Sequence, residues 1–289
     1  MPSIPQDIDK LLRNTEFFFR YLPIKNMYTI GPESVAEKIQ AQNDSRIIFI
    51  NENEFVDVQA IRQLYSSQTN KNPSRFGWYV QQFIKMQFAA FTNDEYYLIW
   101  DSDTIPLKPL NMFAYDGRPF FDMKTEYHVP YFETINKIFP DMHKTAEGSF
   151  ISEHMIVKTE YMRELIGEVE ANTDIEGKNF QEKIMNAVNA EDLCRSGFSE
   201  FETFGSYVSV RHNSGYDFRK WHSLRSGGRF YRASSDIDER NIKWLSSKYD
   251  AISLEKWNKP SKLAGIVRSK PFQMIFSPSI LESKYLRRL

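Results

Sequence analysis

The stretch Tyr96-Tyr97-Leu98-Ile99-Trp100-Asp101-Ser102-Asp103-Thr104-Ile105-Pro106 constrains this chain more than any other. Its five leading apolar or aromatic residues read as a short strand buried on both faces. The run ends in two carboxylates one residue apart, and Pro106 and Pro109 stop further pairing. In open α/β sheets, ligands bind beyond the carboxyl ends of the strands. Asp101 and Asp103 therefore stand where one divalent cation can draw on both. Mg²⁺ and Mn²⁺ favour carboxylate oxygens together with the phosphates of a bound substrate. Position carries the signal, because Asp7-Ile8-Asp9 and Asp236-Ile237-Asp238 repeat the spacing without a buried strand before them. The plain alternative is a solvated turn.

Helix and strand patterns alternate up to this point. Asp7 to Tyr21 predicts a helix with Leu11, Leu12, Thr15, Phe18 and Phe19 on one side, and Asn26 to Ile30 a strand closed by Gly31-Pro32. Glu33 to Gln40 is helical, Arg46 to Ile50 a second buried strand, and Val56 to Tyr65 another helix. Ser74 to Phe91 is the longest helical pattern, burying Phe76, Tyr79, Val80, Phe83, Ile84 and Phe91. The alternation argues for an α/β fold, a mixed and mostly parallel sheet flanked by helices.

Length and composition narrow the class. The 289 residues, 41% hydrophobic and 15% aromatic, suffice for one large packed domain. A net charge of −1 argues against a nucleic-acid partner. The single Cys194 rules out an intramolecular disulfide, argues against a cysteine-built zinc site and fits a reducing, cytoplasmic setting. Neither a charged-then-apolar leader nor an apolar run near membrane-spanning length is visible.

Beyond Pro109 the texture is looser. Ser149 to Val157 (SFISEHMIV) alternates as a strand, Glu160 to Glu170 and Phe180 to Ala190 are helical, and Ser199 opens a further helix. Glu202, three residues on, completes a capping box. Tyr207 to Val210 reads as a short strand. Arg219 to Arg232 (RKWHSLRSGGRFYR) gathers five cations, one histidine and two glycines. The ordered set of RFGWYVQQFIKM, YYLIWDSDTIPLKPL, SFISEHMIV, FSEFETFGSYV and the basic WHSLR segment resembles bacterial surface-polysaccharide glycosyltransferases of the GT-A type. The likeness spans roughly Ile24 to Arg232. It implies a GT-A-like, Rossmann-related catalytic domain over 1–258, with a nucleotide-sugar half at 1–110 and an acceptor and metal-completing half at 111–258. A basic extension follows at 259–289. Such enzymes open on an apolar strand that carries the nucleotide base, whereas here only Ser3-Ile4-Pro5-Gln6-Asp7 precedes the first helix.

The resemblance implies a nucleotide-diphosphate sugar donor, UDP by family habit, a glycan or lipid-linked glycan acceptor, and Mn²⁺ or Mg²⁺ on Asp101 and Asp103. His222 is the candidate third metal ligand, since neutral imidazole suits Mn²⁺. His212 is the second choice, with His128, His143 and His154 structural or acceptor-side. Arg225 and Arg229 are candidates for gripping the diphosphate, with Gly227 and Gly228 admitting its close approach. Lys85, Trp100 and Ser102 complete the donor-binding candidates. The bland reading makes Trp221 core and its neighbouring cations a solvated face. For the base that inverting transfer requires, Glu200 is chosen over Glu202, which the capping box already employs. Glu153 is the alternative, and a retaining reaction needs no such base.

Two other classes compete. An apolar strand leading to Asp-x-Asp-x-Thr also opens haloacid-dehalogenase-type phosphatases, with the first Asp as nucleophile and the second as acid. Those need a later acidic pair after a buried strand, which Ala233-Ser234-Ser235 before Asp236 does not provide. The other rival is a non-catalytic nucleotide-sugar or glycan binder of the same fold. From Lys259 onward, seven Lys or Arg face a single Glu282 and alternate with apolar residues. That texture suits peripheral contact with the inner face of the cytoplasmic membrane. The bland reading packs Phe272 to Phe276 back on the domain.

Overall fold

The computed structural model describes residues 1–69, 74–142, 144 and 147–283. Its strands are β1 (Met27–Gly31), β2 (Ile47–Asn51), β3 (Tyr96–Trp100), β4 (Thr104–Pro106), β5 (Phe120–Met123), β6 (His154–Lys158), β7 (Asp217–Lys220), β8 (Ser223–Leu224) and β9 (Ala251–Ser253). β1 runs parallel to β2, β5 to β7 and β8 to β9, while β3 and β4 lie antiparallel to β6 and β9. The fold is mixed α/β. The expected mostly parallel sheet is instead divided among small sheets of both senses.

β1 and β3 are not paired with each other among the described residues. Together with Met1 and Pro2 they line a cavity of about 570 Å³. Pro2 bridges Ile30 in the parallel sense, and the Ser3 N–H donates to the Ile30 carbonyl at 2.8 Å. A short extended stretch therefore does precede the first helix, Ile8–Tyr21.

Most of the long helices follow the apolar periodicity. Ile8–Tyr21 buries Ile8, Leu11 and Phe18, and Phe76–Phe91 buries Tyr79, Val80, Phe83, Ile84 and Met86. Phe91 departs from expectation. It is 47% exposed and meets Tyr28 and Phe55 only at the domain's margin. Tyr207 to Val210 is no strand. It continues the helix Glu200–Arg211, because Phe201, Phe204, Tyr207 and Val208 fall on one buried helical face. The Ser149 to Val157 pattern shortens to β6, with Ser149 held by a single bridge to Lys124.

Two hydrophobic cores result. The larger takes in most of the long helices and β3. The smaller joins Ile105, Leu224, Ile242, Leu245 and Ile252 to Val267 and Leu281 of the C-terminal segment. The Asp101–Asp103 turn spans the seam, since Trp100 belongs to one core and Ile105 to the other. A turn anchored at both ends in close-packed interior holds its side chains in place.

Candidate functional site

Backbone hydrogen bonds fix the turn before any side chain acts. The Asp101 N–H donates to the Glu153 carbonyl at 2.9 Å, Thr104 N–H to the Asp101 carbonyl at 3.0 Å, and Leu254 N–H to the Asp103 carbonyl at 2.8 Å. The Trp100 indole N–H caps the turn from inside, donating to the Thr104 carbonyl at 2.7 Å. Asn14 on the first helix donates to the Ser102 carbonyl at 2.9 Å.

Around this turn lies a cavity of about 590 Å³. Lys85, from the helix Phe76–Phe91, reaches Asp101 at 3.2 Å and Glu200 at 2.8 Å. Burial works against the Lys85 charge, but Asp101 and Glu200 outweigh it and hold the ammonium above its ordinary pKa. Glu200 stands at the first turn of its helix, and the Gln82 side-chain oxygen accepts its N–H at 2.9 Å. Lys10 lies 3.6 Å from Asp103 and donates to the Leu254 carbonyl. Burial pushes the Asp103 carboxyl upward, and the like charge of Asp101 adds to the effect.

Glu153 lines the same cavity but is saturated. It accepts from Lys124 at 2.6 Å, the Trp221 indole at 2.6 Å and Ser223 at 2.9 Å. Burial would raise its pKa, yet the Lys124 charge and these donors bring it below the ordinary value. Glu255, which faces Asp103 and Glu153, is pushed upward mainly by burial. Arg225 ties Glu255 to Glu126 at 3.2 and 2.8 Å.

Of the residues singled out in the sequence, Asp101, Asp103, Ser102, Trp100, Lys85, Glu153, Glu200 and Arg225 all line this cavity. His222, Arg229 and Glu202 do not line it. His222 is exposed, its backbone clasped to Asp250. Arg229 sits in a short turn whose Gly227 and Gly228 press against Ile252, Ser253 and Glu255. The close approach the glycines permit is thus to β9 and the residues just after it. Glu202 forms only half of the capping box. Ser199 accepts its N–H at 3.2 Å, but its carboxylate turns to Ser149 and the Phe150 N–H at 2.9 and 3.2 Å. The other histidines are placed elsewhere. His212 stacks on Tyr161, His128 bonds the Ser196 carbonyl, and His154 is buried against Asp122 and two tryptophans. His143 lies outside the described residues.

Sequence reasoning passed over Arg75, Trp78, Gln81 and Gln82, which share the cavity wall with Lys85. Their signal was a polar stripe at spacings of three and four along an otherwise apolar helix. Lys10, Glu126, Tyr131, Glu255, Lys256 and Trp257 also line the cavity.

A family model matches residues 11–258, covering every charged side chain of the cavity except Asp7 and Lys10. The chain belongs to DUF6492, a family of unknown function. No curated protein matches it. For this DUF6492 member, among the described residues, no group of three or more His, Cys, Asp or Glu side chains could hold a metal ion. Asp101 and Asp103 offer two hard oxygen donors, a number that suits a cation completing its shell on substrate phosphates. Asp236 pairs with Arg268, and Asp238 caps the helix Glu239–Ser246.

Proposed function

We propose that the chain is a divalent-metal-dependent glycosyltransferase of GT-A-like fold. It moves a sugar from a nucleotide-diphosphate donor, a UDP-sugar, to a bacterial surface glycan. The observation that carries this reading is the convergence of Asp101, Asp103, Lys85, Glu200 and Arg225 on one cavity. Asp101 and Asp103 would hold Mn²⁺ or Mg²⁺, and the bound ion supplies charge neutralisation to a departing diphosphate. Lys10, Lys85, Arg75 and Arg225 line the same walls and, with the metal offsetting the cavity's acids, would favour an anionic ligand.

Glu200 is the base of this scheme. Gln82 fixes its backbone and Lys85 its carboxylate, so it meets an acceptor hydroxyl in one orientation. Glu153, with its oxygens occupied by three donors and its pKa lowered, holds Trp221 and β8 to the site. Trp78, Tyr131 and the 72% exposed Trp257 offer aromatic faces to sugar or base rings.

Calorimetric titration of UDP with Mn²⁺, followed by turnover of a UDP-sugar panel, tests the reading. Metal-dependent binding that Asp103→Ala removes is the expected result. Equal binding by the variant sinks the metal assignment, and silence across the panel sinks the donor class.

A further inference from the structure

The C-terminal segment is half core and half unsheltered surface. Val267 and Leu281 are fully buried in the smaller core, with Phe272 and Ile280 packed against it. These anchors fix the helix Lys270–Ile275 to the body. Gln273 adds bonds to Asn241 and the Val267 carbonyl at 2.8 and 3.1 Å, and the Trp244 indole donates to the Phe276 carbonyl at 2.8 Å. Against that firm base, Ile266, Met274, Ile275 and Phe276 are 54%, 76%, 73% and 41% exposed. Four large apolar side chains within eleven residues, held outward by their own anchors, exceed the scatter of single exposed hydrophobics expected on any surface.

The charge around them is one-sided. Lys259, Lys262 and Lys270 are exposed on the same segment, and Lys243 neighbours Trp244. Among the described residues none of these four lysines has an acidic partner within ion-pair distance, whereas the nearby acids other than the exposed Glu282 are engaged by arginines. Asp236 pairs with Arg268, Asp238 with Arg240 and Glu239 with Arg20. The sequence that follows, 284–289, adds Lys284, Arg287 and Arg288 and no acid. Among the described residues, no helix is long and apolar enough to cross a membrane.

We propose that this face is a docking surface for an anionic phospholipid bilayer. Ile266, Met274, Ile275 and Phe276 enter the headgroup boundary, and the lysines meet the lipid phosphates. Protruding apolar side chains on a segment that also carries unpaired, exposed cations match an interface that is apolar beneath and negatively charged above. The inference is independent of the glycosyl-transfer reading, because none of these residues lines the carboxylate cavity.

Sedimentation of the full chain with phosphatidylglycerol-containing vesicles, at low and high salt and against phosphatidylcholine alone, tests it. Low-salt binding to the anionic vesicles is expected, weakened about tenfold or more by high salt or by neutral lipid. Met274→Asp with Ile275→Asp, and separately Lys262→Glu with Lys270→Glu, should each reduce binding by about tenfold or more. Because these side chains are exposed, thermal unfolding and UDP binding should match the parent. Absent binding at low salt, equal binding to neutral vesicles, or undiminished binding by both variants overturns the proposal. So does a dimer, seen by light scattering, that Met274→Asp dissolves, since the face then belongs to a second copy.

Discussion

Two charged stretches were expected to build one site, and only one of them delivers most of its charge there. At the end of β3, both Asp101 and Asp103 reach the cavity. In Arg219 to Arg232, only Arg225 does. Arg219 is drawn to Asp122 at 2.6 Å, Arg232 to the Gly228 and Asn258 carbonyls at 3.1 and 3.0 Å, and the His222 backbone to Asp250. The difference is one of anchoring. A buried strand must end at a defined place, and its terminal turn inherits that precision from the cores on either side. A run of cations on short strands and turns has long side chains and many nearby carbonyls, so its composition does not say where each will point.

The largest effect that sharpens this contrast concerns the glutamates. Glu200→Gln should lower turnover about 10²- to 10⁴-fold, the usual worth of a general base, while donor affinity stays near the parent value. Steady-state rates set beside calorimetric UDP binding separate the two. If Glu200→Gln turns over normally and Glu153→Gln does not, the base is Glu153. If both remain active, a retaining reaction is the better account.

Next comes the metal. Asp103→Ala should weaken Mn²⁺-dependent UDP binding by about 100-fold, and His222→Ala should leave it unchanged. A large loss in the histidine variant breaks the contrast between the two stretches. A smaller split is expected within the basic segment. Arg225→Ala should cost about tenfold in UDP affinity, the worth of one charged hydrogen bond, with no affinity change for Arg229→Ala. The same titration reads both.

The legible parts of this molecule were those where local pattern and burial agree. The β3 run announced itself, as did the Lys85 helix and the cap at Ser199, because each is written in consecutive residues. Lys10 and Glu255 were not legible, since they reach Asp103 and its neighbours only through packing of distant segments. Their charges look like any surface charge in the sequence. Tyr207 to Val210 misled because β-branched and aromatic residues favour strands in isolation. Here the helix begun at Ser199 kept its apolar face buried through Val208 and overrode that preference.

The smallest effect separates two buried glutamates by the sign of their pH dependence. Donors and the Lys124 charge outweigh burial at Glu153, so its folded pKa lies below the unfolded value. Its stabilisation is present above the ordinary glutamate pKa of about 4.3 and is lost as pH falls through the folded value. At Glu202 burial prevails over Ser149, Lys144 and the Phe150 N–H, and its folded pKa lies above the unfolded one. Whatever it contributes is full below about pH 4.3 and declines as pH rises through the folded value. Urea midpoints followed from neutral pH to below pH 4.3 should therefore diverge, Glu202 changing above about pH 4.3 and Glu153 below it. The deficit of Glu153→Gln relative to the parent should shrink on acidification, and that of Glu202→Gln should grow. The total change of each deficit across that range should be smaller than the roughly 3–5 kcal/mol that unpairing Lys124 costs at neutral pH. Slopes of the same sign would mean that the two carboxylates do not differ as their partners require.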